Sequence, residues 1–276
     1  MPFLEHLQEL RTTLRNSAIA IIITTGVAFV FKAELWTLLA RPLVDAWIAA
    51  QTAVSARRPE MITTGPTEHF MVYMKLSLVV GILVASPVIF RELWRFISPG
   101  LYPRERRWGL FFVISSVVLF VGGAAFAYKF VLEPAYKFFL SYAADNMGMF
   151  HVPGTAVDVK LSQPFDIRPM ISMDSYFDLT VTLILVFGLV FELPLVLSIL
   201  AMLGIVSAKM LWKFNRYAIL IFAILGAILT PGDVVVGQLA MAGALTVLYN
   251  LSIVVALIVG KKRREAEAAA DADLDA

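Results

Sequence analysis

A carboxylate stands in the middle of an apolar run at residues 187–195, FGLVFELPL, where Glu192 is followed two places later by Pro194. Carrying an ionised carboxylate to the centre of a bilayer costs at least ~2.5 kcal/mol on insertion scales. Such a group is therefore neutral, hydrogen-bonded to a neighbouring helix, or kept for a function. An acid at membrane depth is a functional candidate by default, and the first two readings stay open beside it. Pro194 removes a backbone donor and is expected to kink the helix.

Two other stretches place acids among basic and apolar residues. FLEHLQELRTTLR, residues 3–15, sets Leu4, Leu7, Leu10 and Leu14 on one helical face and Glu5 and Glu9 four apart on a polar side, the pattern of an amphipathic helix at a membrane surface. FISPGLYPRERR, residues 96–107, makes a rigid bend at Ser98-Pro99-Gly100 and Pro103, and sets Glu105 between Arg104 and Arg106. Trp94, Phe96, Tyr102 and Trp108 surround that bend. By composition alone, both stretches read as solvated or interfacial charge with an aromatic belt. Catalysis has no support: His6, His69 and His151 are far apart, no nucleophile–base pair or phosphate loop is present, and with no cysteine there is no thiolate or disulfide. The expectation is a protein that is not an enzyme, with no cofactor and no metal.

The elements that must carry these groups follow from hydropathy. Of the 276 residues, 59% are hydrophobic and 16% charged, with a mean hydropathy of +0.80, against ~45–50% and ~25% in ordinary soluble domains. The excess falls in long uncharged blocks, which predict an all-α integral membrane protein with six transmembrane helices at about 16–33, 70–91, 108–130, 177–202, 214–230 and 234–259. Residues 1–260 form one membrane domain, and 261–276 a basic and then disordered tail. With the N-terminus inside, the inner segments hold fourteen Lys/Arg and the longer outer loops eight, so both termini are expected to be cytoplasmic. Lys75 remains, expected to snorkel near the outer end of span two. Residues 32–69 and 129–174 read as long outer loops broken by VPG, SQPFD and IRP. The fifth span is short, and TPGD at 230–233 makes a tight turn into the sixth. Nothing points to nucleic acid.

Four motifs in order on this topology resemble one family. EHLQELR near the start, FISPGLYPRERR, FGLVFELP and ILTPGD together are similar to TatC, the multispanning receptor subunit of the twin-arginine protein translocase. The resemblance covers nearly the whole chain and implies a concave, glove-like bundle in the bacterial cytoplasmic (inner) membrane. It implies a core receptor and scaffold that binds twin-arginine signal peptides of folded proteins at the cytoplasmic face. That complex would self-associate, assemble with the single-span subunits TatA and TatB, and export cargo on the proton motive force. By motif position the signal-binding residues are Glu9 and Glu105, supported by Phe96, Arg11, His6 and Leu10. Two carboxylates suit two guanidinium forks. Glu192, Asp233 and Gln238 would contact the partner subunits, and Pro42, Pro99, Pro194 and Pro231 would shape the backbone. Two departures bear on this. Thr13 stands where the family often has a basic residue, and Gln238 lies five residues after Asp233 rather than four, which is ~100° of helical rotation. The alternative is a proton- or ion-coupled small-solute carrier using Glu192, against which the chain shows no internal repeat.

Overall fold

In the computed structural model, the described residues are 3–50, 60–100, 109–144, 149–151, 158–160, 171–202, 204–229 and 236–274. Among them the helices are α1 (Phe3–Val30), α2 (Lys32–Ala50), α3 (Glu68–Ile97), α4 (Gly109–Phe126), α5 (Leu132–Ala144), α6 (Met173–Phe191), α7 (Leu193–Met202), α8 (Ala208–Leu229) and α9 (Val236–Leu274). A chain in hydrocarbon has no water for its peptide groups, so helices that satisfy their own backbone are the economical answer. Six stretches are long and apolar enough to cross a membrane: Leu7–Val30, Glu68–Ile97, Gly109–Lys137, Met173–Met202, Ala208–Ala227 and Met241–Ile258.

The helices form a row. Antiparallel α1 and α3 pack together along their lengths, α3 meets α4 and α6, α4 packs on α6, α7 packs on α9, and α9 packs on α8. Thus α1 and α8 lie at opposite ends. Close approach depends on two glycines. A Cβ on Gly81 of α3 would lie 2.9 Å from the Cα of Thr25 on α1, and one on Gly123 of α4 would lie 2.6 Å from the Phe187 carbonyl oxygen on α6. The turn between α7 and α8 uses Gly204 at φ 75°, with its N–H on the Ala201 carbonyl and that of Ile205 on Leu200. This is a glycine-terminated helix end, open to a residue without Cβ.

Parts of the two expected outer loops are helical, while the VPG, SQPFD and IRP breaks lie outside the described residues. Residues 32–50 form α2, and the third span runs through a π-helical turn, Ala127–Val131, into α5, which ends at Ala144. Helical sequences interrupted by Pro42 and by the π turn lose simple periodicity, which is why they read as irregular. In the π turn the Leu132 N–H reaches back to the Ala127 carbonyl. Pro42 deletes the donor that would serve the Leu38 carbonyl in α2. The Tyr128 hydroxyl donates to that carbonyl at 2.7 Å, and Tyr176 donates to the adjacent Leu39 carbonyl. Tyr136 and Thr180, both buried, hydrogen-bond each other beside Tyr176.

Short strands complete this end. β1 (Met61–Ile62) pairs in parallel with β4 (Ile171–Ser172), and β2 (Met149–His151) pairs antiparallel with β3 (Asp158–Lys160). The Glu68 carboxylate accepts from the Thr64 N–H and hydroxyl, the Ser172 hydroxyl at 3.2 Å and the Asp174 N–H at 3.0 Å. It thereby fastens the start of α3 to the start of α6.

The leucine-lined segment 3–15 forms the first turns of α1, continuous with the first span. Helix α9 continues to Leu274, through REAEAAADAD, which is rich in helix-favouring Ala and Glu.

Candidate functional site

The face that carries the N-terminus is organised by the α1–α3 seam. Asn16 on α1 donates its side-chain amide to Glu92 on α3 at 3.3 Å, and Thr24 donates to the Gly81 carbonyl at 2.8 Å. Antiparallel helices advance by equal ~1.5 Å steps in opposite directions. Continuing from the Asn16–Glu92 pair places Glu9 level with Pro99, in the 3₁₀ turn Ser98–Gly100 that ends α3. Glu9 is half-buried there, Arg11 is exposed, and Leu10 is 37% exposed. Phe96 is half-buried on α3, one turn beyond Glu92. Trp94 stacks on Phe112 of α4 at 4.7 Å and lies over Gly109. Pro99 is exposed while Ser98 is buried, its hydroxyl on the Arg95 carbonyl. Glu105, Asp233, Pro231 and the side chain of His6 lie outside the described residues.

Glu192 sits where α6 ends and α7 begins. Its N–H bonds to Leu189, and its carbonyl accepts from Leu195 and Val196, so the carboxyl is carried on a break that Pro194 maintains. The residue is 6% exposed, the Ser116 hydroxyl of α4 faces it, and its Oε1 is buried with no hydrogen-bond partner. An unsatisfied buried acceptor of this kind costs about 1–3 kcal/mol.

At the α8–α9 edge, the Gln238 amide donates to the Ala223 carbonyl at 3.0 Å, turned into α8 rather than outward. Asn215 bonds Asn250 at 3.3 Å, and the Tyr249 hydroxyl donates to Leu211 at 3.0 Å. The outer side of α8 presents Trp212, Leu220 and Ile224, each more than half exposed.

Some charged groups were missed from sequence. Glu92 is 7% exposed; counted among the residues of an inner loop, it gave no signal beyond falling within the last two turns of a long apolar helix. Lys75, expected to snorkel, instead pairs with Asp174 at 2.9 Å and Asp178 at 3.2 Å on α6. The i, i+4 spacing of those two acids was the available clue. No cluster of potential metal ligands occurs among the described residues.

The arrangement has known counterparts. The family described as Sec-independent protein translocase protein (TatC) matches residues 5–243. The chain belongs to the TatC family. Curated TatC proteins from Desulforapulum autotrophicum and Aquifex aeolicus are 40% and 35% identical to it. The alignments cover 99% and 98% of this chain and 91% and 100% of theirs. A crystal structure described as the twin arginine translocase receptor TatC superposes with a TM-score of 0.67 at 35% identity, over 92% of this chain and 99% of that one. A second crystal structure, of the same receptor in DDM, gives 0.68 over 91% and 99%. This TatC-family chain is thus a multi-pass, six-helix membrane protein of Tat protein transport, and its helix row is the TatC fold.

Proposed function

We propose that this TatC chain is the receptor at which twin-arginine signal peptides of folded cargo dock, with Glu9 and Glu105 accepting the two guanidinium groups. The observation that supports this is the Asn16–Glu92 bond across the α1–α3 seam, whose register continued along α1 runs Glu9 level with the turn that ends α3, five residues before Glu105 in sequence. A guanidinium offers a planar fork of donors, and a carboxylate accepts two of them in parallel. Two acids on separate elements at a membrane surface select a pair of arginines over a pair of lysines, which cannot make the same bidentate contact. Phe96 and Leu10 supply apolar contact beside them, and Arg11 and His6 complete the polar rim.

The excess of Lys and Arg on the segments expected at this face supports cytoplasmic termini in a bacterial inner membrane. Glu192, with one buried oxygen unpartnered, is the polar contact for a single-span subunit of TatA or TatB type, reached when that helix opens the α4–α6–α7 packing. The α8–α9 edge, with Asp233 and Gln238, forms the docking rim, Gln238 setting the spacing of the two helices through Ala223. Copies of the receptor associate, and transport draws on the proton motive force.

Photo-crosslinking of a twin-arginine signal peptide to the protein in membranes tests this. Crosslinking is expected to fall with Glu9→Ala, with Glu105→Ala and with a Lys-Lys signal, and to survive Glu192→Ala, which instead lowers co-purification of the single-span subunits. Crosslinking that ignores all three changes overturns the receptor reading.

A further inference from the structure

We infer that Glu92 is a positioning residue for signal recognition, locking the part of α1 that carries Glu9 to the end of α3 that carries Phe96 and leads into the Glu105 segment. This rests on the receptor reading above. Glu92 is 7% exposed, whereas Arg91 and Arg95 on the same turns face outward. A carboxylate turned inward while its charged neighbours turn out is not part of a solvated face. It meets the Asn16 amide across the seam.

The positions fit one task. Glu92 and Phe96 are four apart on α3, so they share a face. Asn16 and Glu9 are seven apart on α1, two turns along the same face. The half-buried bond therefore lies ~10 Å from Glu9 along one continuous stripe. Away from this bond the seam is close packing, with Gly81 of α3 against the Thr25 backbone and Thr24 donating to the Gly81 carbonyl, while Ile19, Ile22, Ile23 and Val27 of α1 are 49–70% exposed. A slip of one residue would move α1 by ~1.5 Å and turn it by ~100°, carrying Glu9 out of reach of the α3 end. A directional carboxamide–carboxylate bond prevents that slip where aliphatic packing would tolerate it.

The test uses the full chain in membranes, with crosslinking to twin-arginine and Lys-Lys signal peptides. Glu92→Leu and Asn16→Leu are each expected to lower twin-arginine crosslinking about tenfold and to narrow the preference over Lys-Lys. The double variant is expected to be no worse than either alone. Glu92→Gln keeps an acceptor for Asn16 and stays near wild type. The reversed pair, Asn16→Asp with Glu92→Gln, exchanges donor and acceptor and restores crosslinking to within about twofold. A merely structural loss would lower crosslinking to both signal peptides alike and leave the preference over Lys-Lys unchanged. Wild-type behaviour of both leucine variants, or a reversed pair as weak as the single leucine variants, overturns the inference. If Glu92→Leu fails to accumulate, Asn16→Leu and the reversed pair decide. A wild-type protein that shows no arginine-dependent crosslink overturns the receptor reading itself, a different result from an arginine-dependent crosslink indifferent to position 92.

Discussion

At the end of the molecule opposite the N-terminus, α2, α5 and α6 are stitched by tyrosine hydroxyls on the Leu38 and Leu39 carbonyls, by the Tyr136–Thr180 bond and by a Glu68 carboxylate with four donors. Toward the N-terminal end, α1 packs closely on α3, with the Asn16–Glu92 and Thr24–Gly81 bonds among its polar contacts. The first region uses its polar groups on the fold. The second holds the half-buried Glu9 two helical turns from its Asn16–Glu92 bond. Variants of the stitched end should change stability and spare recognition; variants of the open end should do the reverse.

The largest separation is expected from Glu9→Ala combined with Glu105→Ala. Hydrogen bonds to charged groups contribute about 1.5–3 kcal/mol each, so losing both should reduce signal crosslinking by at least about a hundredfold. The unfolding temperature in detergent should stay within about 2 °C, as for other surface substitutions. A large drop in that temperature would break the division.

Gly81→Val should cross it. Overpacking at this contact costs about 1–3 kcal/mol and forces α1 off α3, so thermal stability and crosslinking should fall together. Recovery of crosslinking without recovery of stability would show that Glu9 does not depend on the seam.

Tyr128→Phe strands the Leu38 carbonyl and should cost about 1–2 kcal/mol in thermal unfolding, with crosslinking unchanged. Pro42→Ala restores an N–H to α2, so the double variant should be more stable than Tyr128→Phe alone. Additive losses would show that Tyr128 does not serve the carbonyl freed by the proline.

The smallest effect belongs to Glu68→Gln, which retains an acceptor but weakens a charged one. A small loss is expected, read as faster hydrogen exchange at the Asp174 amide. Exchange unchanged at Asp174 would remove Glu68 from the stitched region.

The spans were legible because hydrocarbon imposes a long apolar run that no other requirement mimics, and Glu192 was legible because it interrupts one. Glu92 was not. It lies within the last two turns of a helix whose end carries arginines, and a sequence does not show which charged residue at a helix end turns inward. α2 and α5 escaped for another reason. In α2 the proline-freed carbonyl is served by a tyrosine 90 residues away in sequence, and α5 follows a π turn whose extra residue shifts the helical phase. Gln238 was legible as a polar handle, but its rotation into α8 depends on the shape of a turn outside the described residues.

The π turn at Ala127–Val131 gives chain length a meaning of its own in the third span. Upstream, Phe112, Phe120 and Ala124 face inward; downstream, Leu132, Tyr136 and Leu140 do, and the two sets share no common 3.6-residue phase. The surplus residue acts as a frameshift between two helical reading frames. Deleting one residue there would turn everything from Leu132 onward by ~100°, withdrawing Tyr136 from Thr180 without altering any side chain that touches the signal site. A single missing codon in the middle of the third span would then be harsher than most substitutions, and an insertion elsewhere in the same helix could compensate for it.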